Sequence, residues 1–148
     1  MVRELAGDEP VLVAYGDCLS DINIQKMVES HCRQQSLATV AIAHPTGRNE
    51  ILALNEQGCY TGTKQGKKQK HSWVNACSMV LEARAFDYLK ENQENHFALS
   101  LMDCLAAHEP VQTYRHEGFW SPVETIRDKT WMETLWAQHK APWKVWED

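Results

Sequence analysis

The sequence lacks a C-x-x-C pair, a long apolar run and an excess of basic residues. Its five cysteines are odd in number, which together with the missing pair argues against a disulfide framework and a structural zinc site. Its seven histidines show no ligand spacing such as H-x-x-x-H. We therefore expect reduced, mostly buried thiols, as in a cytosolic protein.

Membranes and nucleic acids are also excluded as expected partners. No stretch approaches the roughly 20 apolar residues that a membrane span requires, and the segment Met1–Asp8 lacks the apolar core of a signal peptide. The net charge of -5 creates no field that would attract nucleic acid or an anionic membrane. We therefore expect a cytoplasmic protein.

What the sequence does contain fits one folded domain spanning residues 1–148. A hydrophobic fraction of 43% and six tryptophans are typical of a globular protein. A chain of this length buries about two-thirds of its unfolded surface, and a second domain is not expected.

Apolar runs alternate with helical patterns along the chain. Pro10–Tyr15 and Leu37–Ala43 are short apolar runs that predict buried strands. The helix between them carries apolar residues at i, i+3 and i+4 from Ile24, and Ser20 or Asp21 can cap it. This order of strand, helix and strand is an α/β pattern.

The remaining elements continue the alternation. We expect a hairpin from Glu50–Asn55 and Cys59–Thr61, and then a polar, basic loop at Lys64–His71. The further elements are a strand at Ser72–Leu81, helices at Glu82–Asn92 and Phe97–His108, a strand at Val111–Arg115, and a helix from about Pro122 to His139. In the last helix, Trp131, Met132, Leu135 and Trp136 form one stripe.

Three segments carry a specific resemblance. They are Tyr15-Gly-Asp-Cys-Leu-Ser-Asp-Ile-Asn-Ile24, Tyr114-Arg-His-Glu-Gly-Phe-Trp-Ser-Pro-Val-Glu-Thr-Ile-Arg-Asp-Lys129 and Ala141-Pro-Trp-Lys-Val-Trp-Glu147. In order, spacing and tryptophan positions the chain resembles the glucose-1-phosphate cytidylyltransferases, a branch of the sugar nucleotidyltransferases, from about Pro10 onward.

The resemblance implies the second half of a mixed, Rossmann-like sheet with helices on both faces. In that family the first half carries a glycine-rich G-G-x-G-T-R loop that grips the nucleoside triphosphate, and no such loop occurs in these 148 residues. Without its cradle of backbone N–H groups, positioning and charge stabilisation fail. We expect that this chain alone cannot transfer a nucleotide.

Two carboxylates are the candidate catalytic residues. In the family, the aspartates of Y-G-D-G and P-M-D-T hold a catalytic Mg²⁺, and the corresponding residues here are Asp17 and Glu124. Both are candidate Mg²⁺ ligands, and no other cofactor is implied. Each has a simpler interpretation. Asp17 could be a solvated loop carboxylate, and Glu124 could close an S-x-x-E capping box that begins at Ser121.

The candidate substrate-binding residues are Cys18, Lys64, Asn75 and Trp120. Cys18 replaces the second glycine of Y-G-D-G, and is either a small substitute or a nucleophile in a remodelled cleft. Lys64 is what remains of the family's E-K-P motif, although the basic run that it begins could equally be a solvated loop. Asn75-Ala76-Cys77 replaces the N-G-G strand that faces the sugar. Glucose 1-phosphate is therefore not the expected ligand.

The resemblance also predicts association. The strand at Val11–Tyr15 corresponds to one inside the family's sheet, so here it would leave an unpaired apolar edge. Five of the six tryptophans lie between Trp120 and Trp146, where core or subunit interface is the expected role. We expect a homodimer or a larger oligomer.

Three functions remain open. The first is a repurposed relative whose cleft around Asp17 and Glu124 serves another small molecule, as a biosynthetic enzyme using carboxylate acid–base chemistry. The second is a non-catalytic scaffold or regulatory subunit. The third is the sugar-side half of a split CDP-sugar synthase.

Overall fold

A computed structural model describes residues 7–45, 51–64, 72–88 and 97–147. The strands are β1 (Val11–Ala14), β2 (Cys18–Ser20), β3 (Ala38–Ala43), β4 (Ile51–Leu54), β5 (Tyr60–Lys64), β6 (Val74–Leu81), β7 (Gln112–Arg115) and β8 (Trp120–Pro122). The helices are α1 (Ile24–Gln34), α2 (Phe97–Ala106) and α3 (Ile126–Ala137), with a 3₁₀ helix at Ala83–Tyr88. Most of the predicted loop at Lys64–His71 and the second part of the predicted helix at Glu82–Asn92 lie outside the described residues.

The main sheet has four strands in the order β1-β6-β3-β7. β6 pairs antiparallel with both β1 and β3, whereas β3 and β7 are parallel. Two further pairs are antiparallel: the ribbon of β2 with β8, and the predicted hairpin of β4 with β5. The expected mixed α/β architecture is confirmed.

The core lies on both faces of the main sheet. Every residue of β3 is buried, as an uninterrupted apolar strand predicts. Because side chains alternate along a strand, neighbouring residues of β3 belong to two separate clusters. Val40 packs in the cluster that contains Leu101 of α2, and Ala41 packs in the cluster that contains Met27 of α1 and Trp120.

Helix α1 is capped by a different residue from those predicted. Asn23 is the N-cap, and its side chain accepts a hydrogen bond of 2.9 Å from the backbone N–H of Lys26. Neither Ser20 nor Asp21 caps the helix, because Ser20 belongs to β2 and the backbone N–H of Asp21 donates to the carbonyl of Phe119. Both residues instead form backbone contacts within or next to the ribbon of β2 and β8.

Strand β1 is confirmed, but the prediction that it is buried is wrong. Leu12 is 44% exposed and Ala14 is also exposed. The reason is its position, because β1 lies at the edge of the main sheet and β6 is its only strand partner within the described ranges. Among the described residues, the other edge of β1 therefore carries no strand partner.

Helix α3 begins at Ile126 rather than near Pro122. Thr125 is its N-cap and forms a capping box with Asp128. Its stripe is only partly buried, because Met132 packs inside whereas Trp131 and Trp136 are about half exposed. None of the helices in the described part of the chain has the length and apolar character needed to cross a membrane.

Candidate functional site

The ribbon of β2 and β8 brings the two candidate carboxylates to the same place. Cys18 pairs with Pro122 in this ribbon, and just beyond that pair the backbone N–H of Val123 donates to the carbonyl of Asp17 at 2.7 Å. Asp17 precedes one strand and Glu124 follows the other, so both lie at the same end of the ribbon. Both residues are exposed.

The capping interpretation of Glu124 is wrong. The side chains in the capping box of α3 are those of Thr125 and Asp128, so Glu124 precedes the cap. Only the backbone N–H of Glu124 takes part, donating to Asp128 Oδ2 at 3.2 Å. The Glu124 carboxylate therefore takes no part in the cap.

Asp17 also lies beside two thiols. The Sγ atoms of Cys18 and Cys77 and a carboxylate oxygen of Asp17 all lie within 4.8 Å of one another. Sequence reasoning did not select Cys77 as a site residue. The available signal was that both Cys18 and Cys77 stand where the resembled family has glycine.

A hydrogen bond between the two thiols shifts their pKa values in opposite directions. It lowers the pKa of Cys18, although burial and the Asp17 charge act in the opposite direction. The same hydrogen bond, together with burial and the charges of Asp17 and Glu124, raises the pKa of Cys77.

Trp120 is buried beneath this group of residues. Its side chain is 3% exposed, so it packs in the core rather than on an open surface. Its indole N–H has no hydrogen-bond partner of ordinary geometry among the residues that the structure describes. It nevertheless faces Cys18 closely enough to help lower the pKa of that thiol.

The other two candidate substrate-binding residues, Asn75 and Lys64, do not lie at the end of the ribbon. Asn75 is half-buried in β6, and its side chain accepts a hydrogen bond from the backbone N–H of Cys77 at 2.8 Å. It therefore holds the local backbone. Lys64 is exposed at the end of β5, in a two-stranded sheet separate from the ribbon that carries Asp17 and Glu124.

A cleft adjoins the ribbon, between β8 and α3. Its volume is about 680 Å³, within the range of roughly 300–1,000 Å³ that is usual for small-molecule pockets. Phe119, Trp120 and Trp131 give it an aromatic wall, and Glu124 and Asp128 supply carboxylates. The cleft can therefore hold a molecule that combines an apolar face with hydrogen-bond donors.

The Mg²⁺ ion implied by the resemblance fits this arrangement poorly. Mg²⁺ takes oxygen ligands in near-octahedral geometry, and Glu124 offers such oxygens. At Asp17, however, two sulfur atoms occupy the space beside the carboxylate. This mixed set of oxygen and sulfur donors does not suit Mg²⁺.

Comparisons with known proteins give a consistent result. No protein-family model matches the chain. A glucose-1-phosphate cytidylyltransferase from Salmonella typhi is 31% identical over 140 residues, an alignment that spans 95% of this chain and 54% of the relative. The chain thus spans about half the length of the curated relatives that it matches, and the matched part is carboxy-terminal.

Solved structures share the fold. A protein from Bacillus anthracis assigned as a glucose-1-phosphate thymidylyltransferase, in complex with sucrose, superposes with a TM-score of 0.73 at 14% identity. That match covers 99% of this chain and 59% of the other. A UDP-glucose pyrophosphorylase from Acinetobacter baumannii gives 0.67 at 15% identity, covering 95% of this chain and 56% of the other.

Proposed function

Because the chain is a homologue of the glucose-1-phosphate cytidylyltransferases that spans about half their length, we propose that it binds a small molecule beside Asp17 and Glu124 without transferring a nucleotide by itself. These 148 residues contain no glycine-rich triphosphate loop. Positioning and electrostatic stabilisation of a triphosphate would therefore have to come from elsewhere.

The observation that carries this proposal is the pairing of β2 with β8. It brings Asp17 and Glu124 to the same end of the ribbon, and Glu124 also lines the adjoining cleft of about 680 Å³. The sugar side has changed, because Cys77 introduces a side chain where the family has bare backbone, and Asn75 binds its own strand. A site that keeps two carboxylates at the end of the ribbon and loses its sugar contacts favours a different ligand.

The chemistry of the cleft suggests the class of that ligand. Two carboxylates accept hydrogen bonds from hydroxyl or amino groups, and either can act as a general base toward such a group. Phe119 and Trp131 line the same cleft and would pack against an apolar face of the ligand. We therefore propose a small polar metabolite, handled by carboxylate acid–base chemistry.

Ligand-induced thermal stabilisation tests the proposal. The purified chain, in EDTA, is screened against sugar phosphates, nucleotides, amino sugars and polyols, since any ligand of the folded state raises its Tm. We expect at least one compound to raise the Tm, and Asp17→Asn and Glu124→Gln each to abolish the shift. Glu29→Gln, at an exposed position of α1, is the matched control and should keep it. Shifts that survive both cleft variants would show that the ligand binds elsewhere.

A second candidate function rests on the edge strand β1, which pairs on one side only within the described residues. An apolar strand with unpaired backbone groups on one side favours association with another chain, and Leu12 is 44% exposed there. We propose that this edge mediates association, either as a homodimer or with a separate chain in a scaffold, a regulatory complex or a split enzyme. Native mass spectrometry of untagged protein distinguishes these assemblies by mass.

A further inference from the structure

Cys18 and Cys77 come from different sheets and meet beside Asp17. Cys18 begins β2, whereas Cys77 lies within β6. The turn after β1 connects them, because the backbone N–H of Tyr15 donates to the carbonyl of Cys77 at 3.0 Å. As a result, the two Sγ atoms and a carboxylate oxygen of Asp17 all lie within 4.8 Å of one another.

From this geometry we propose that Cys18, Cys77 and Asp17 bind a thiophilic divalent cation, of which Zn²⁺ is the representative ion. Ligand bonds of about 2.0–2.3 Å place neighbouring donors around a tetrahedral zinc roughly 3.3–3.8 Å apart. Donors that already lie within 4.8 Å reach that spacing by small side-chain rotations. Two sulfurs and a carboxylate suit zinc, whereas Mg²⁺ takes oxygen ligands.

Trp120 supplies an independent observation that points to the same place. Its side chain is 3% exposed, and its indole N–H has no partner of ordinary hydrogen-bond geometry in the described part of the chain. That N–H faces Cys18. A buried donor without a partner is costly, and a metal-bound thiolate would supply the missing acceptor. Such donors also orient the ligands of metal sites.

Three protein ligands leave one position of a tetrahedral zinc open. Structural zinc sites have four protein ligands, whereas sites with three keep a position for water or a ligand molecule. Glu124 lies near this group, since the backbone N–H of the neighbouring Val123 donates to the carbonyl of Asp17 at 2.7 Å, and Glu124 also lines the cleft. The open position therefore belongs on the side of the cleft. This metal site shares Asp17 with the proposed function but depends on the two thiols.

The test uses the full chain, reduced and depleted of metal, titrated with Zn²⁺ alone and with Co²⁺ as a spectroscopic probe. We expect one ion per chain, a thiolate-to-cobalt charge-transfer absorption, and no displacement by a large excess of Mg²⁺. Cys18→Ser and Cys77→Ser should each weaken Zn²⁺ binding at least ten-fold. Cys32→Ser, at an exposed position of α1, is the matched control and should change nothing.

Further variants keep the test decisive if a serine variant does not fold. Asp17→Asn changes an exposed position, so the fold is retained, and it should weaken Zn²⁺ binding. Trp120→Phe keeps an aromatic ring in the core, removes the N–H, and should shift the charge-transfer band. Folding of each variant is checked by circular dichroism and thermal unfolding in EDTA.

Four results would overturn the inference: no stoichiometric Zn²⁺ binding, binding that both serine variants retain, displacement by Mg²⁺, or a disulfide between Cys18 and Cys77 that persists under reducing conditions. The screen for the proposed function is run in EDTA, so the two ideas fail separately. Metabolite binding without Zn²⁺ binding would remove only this inference. Zn²⁺ binding without metabolite binding would remove only the proposed function.

Discussion

The side-chain Oδ1 of Asn75 accepts a hydrogen bond from the backbone N–H of Cys77 at 2.8 Å. This bond closes a short turn inside β6, where Cys77 has a φ of 64°, in the left-handed region. An L-amino acid in that conformation costs roughly 1–2 kcal/mol, and glycine avoids the cost. The resemblance places a glycine at this position, which is the residue that adopts this conformation at no steric cost.

The first prediction follows from the backbone strain at Cys77. Cys77→Gly and Cys77→Ala remove the same thiol, but only glycine relieves the left-handed conformation. We therefore expect Cys77→Gly to be more stable than Cys77→Ala by about 1 kcal/mol, measured by urea unfolding. Equal stabilities, or a more stable alanine variant, would show that no strain is stored there.

Much of the fold could be predicted from the sequence, because most of the longer strands coincide with short apolar runs. Burial was harder to predict. The runs that became β1 and β3 look alike, yet in the described part of the chain β3 pairs with a strand on each side and β1 pairs with β6 alone. An apolar run does not reveal how many neighbours a strand will have, so the exposure of Leu12 was missed.

The first residue of a helix is a second feature that is hard to predict from the sequence. Ser121 and Thr125 each begin a pattern of hydroxyl residue, two spacers and an acid, and both patterns could cap α3. In the folded protein Thr125 is the N-cap of α3, because Ser121 pairs with Leu19 in the ribbon. A local pattern cannot show that one of its members is already engaged by a distant strand.

The candidate site was predicted in part. The resemblance selected Asp17 and Glu124, and the structure places both at one end of the β2–β8 ribbon. That ribbon has strands of only three residues, which are too short for periodicity to reveal. Cys77 was missed for a related reason, since its closeness to Cys18 depends on long-range pairing.

Gly118 leads to the second prediction, because it lies against the contact between the side chains of Asp21 and His116. A Cβ at this position would lie 2.6 Å from Oδ1 of Asp21 and 2.8 Å from Cε1 of His116. The two side chains are themselves 2.9 Å apart, so the methyl group must displace one of them. We expect Gly118→Ala to lower the free energy of unfolding by about 1–3 kcal/mol.

The matched control for Gly118 is Gly16. No heavy atom lies within 4 Å of a Cβ placed there, and its backbone is not left-handed. Gly16→Ala should therefore be neutral or slightly stabilising, by less than about 1 kcal/mol. If both variants lose the same stability in urea unfolding, the loss at Gly118 does not come from the Asp21–His116 contact.

The capping box of α3 predicts a dependence on pH. The hydroxyl of Thr125, helped by the backbone N–H groups of Thr125 and Glu124, lowers the pKa of Asp128 below its ordinary value of 3.8. Because the folded-state pKa is depressed, the stabilisation is present above the unfolded value and is lost as pH falls through the folded value. We expect the difference in Tm between the parent and Asp128→Asn to shrink below the ordinary pKa.

Glu147→Gln serves as the control for that measurement. Glu147 is exposed in the tail and is not part of the cap, so this variant should follow the parent protein at every pH. A gap between parent and Asp128→Asn that stays constant from neutral to strongly acidic pH would contradict the linkage, because it would mean that protonating Asp128 costs the folded state nothing.

The position of β1 at the edge of the main sheet leads to the last prediction, which concerns association. If chains associate through this edge, Leu12→Lys should weaken dimerisation at least ten-fold, about 1.4 kcal/mol, because edge lysines oppose strand-to-strand pairing. Ile126→Lys, at a position of α3 that is 84% exposed, adds the same charge and should leave association unchanged. Sedimentation velocity at micromolar concentration measures both variants. A parent protein that is already a monodisperse monomer there would refute the prediction, since no interface would remain for Leu12 to support.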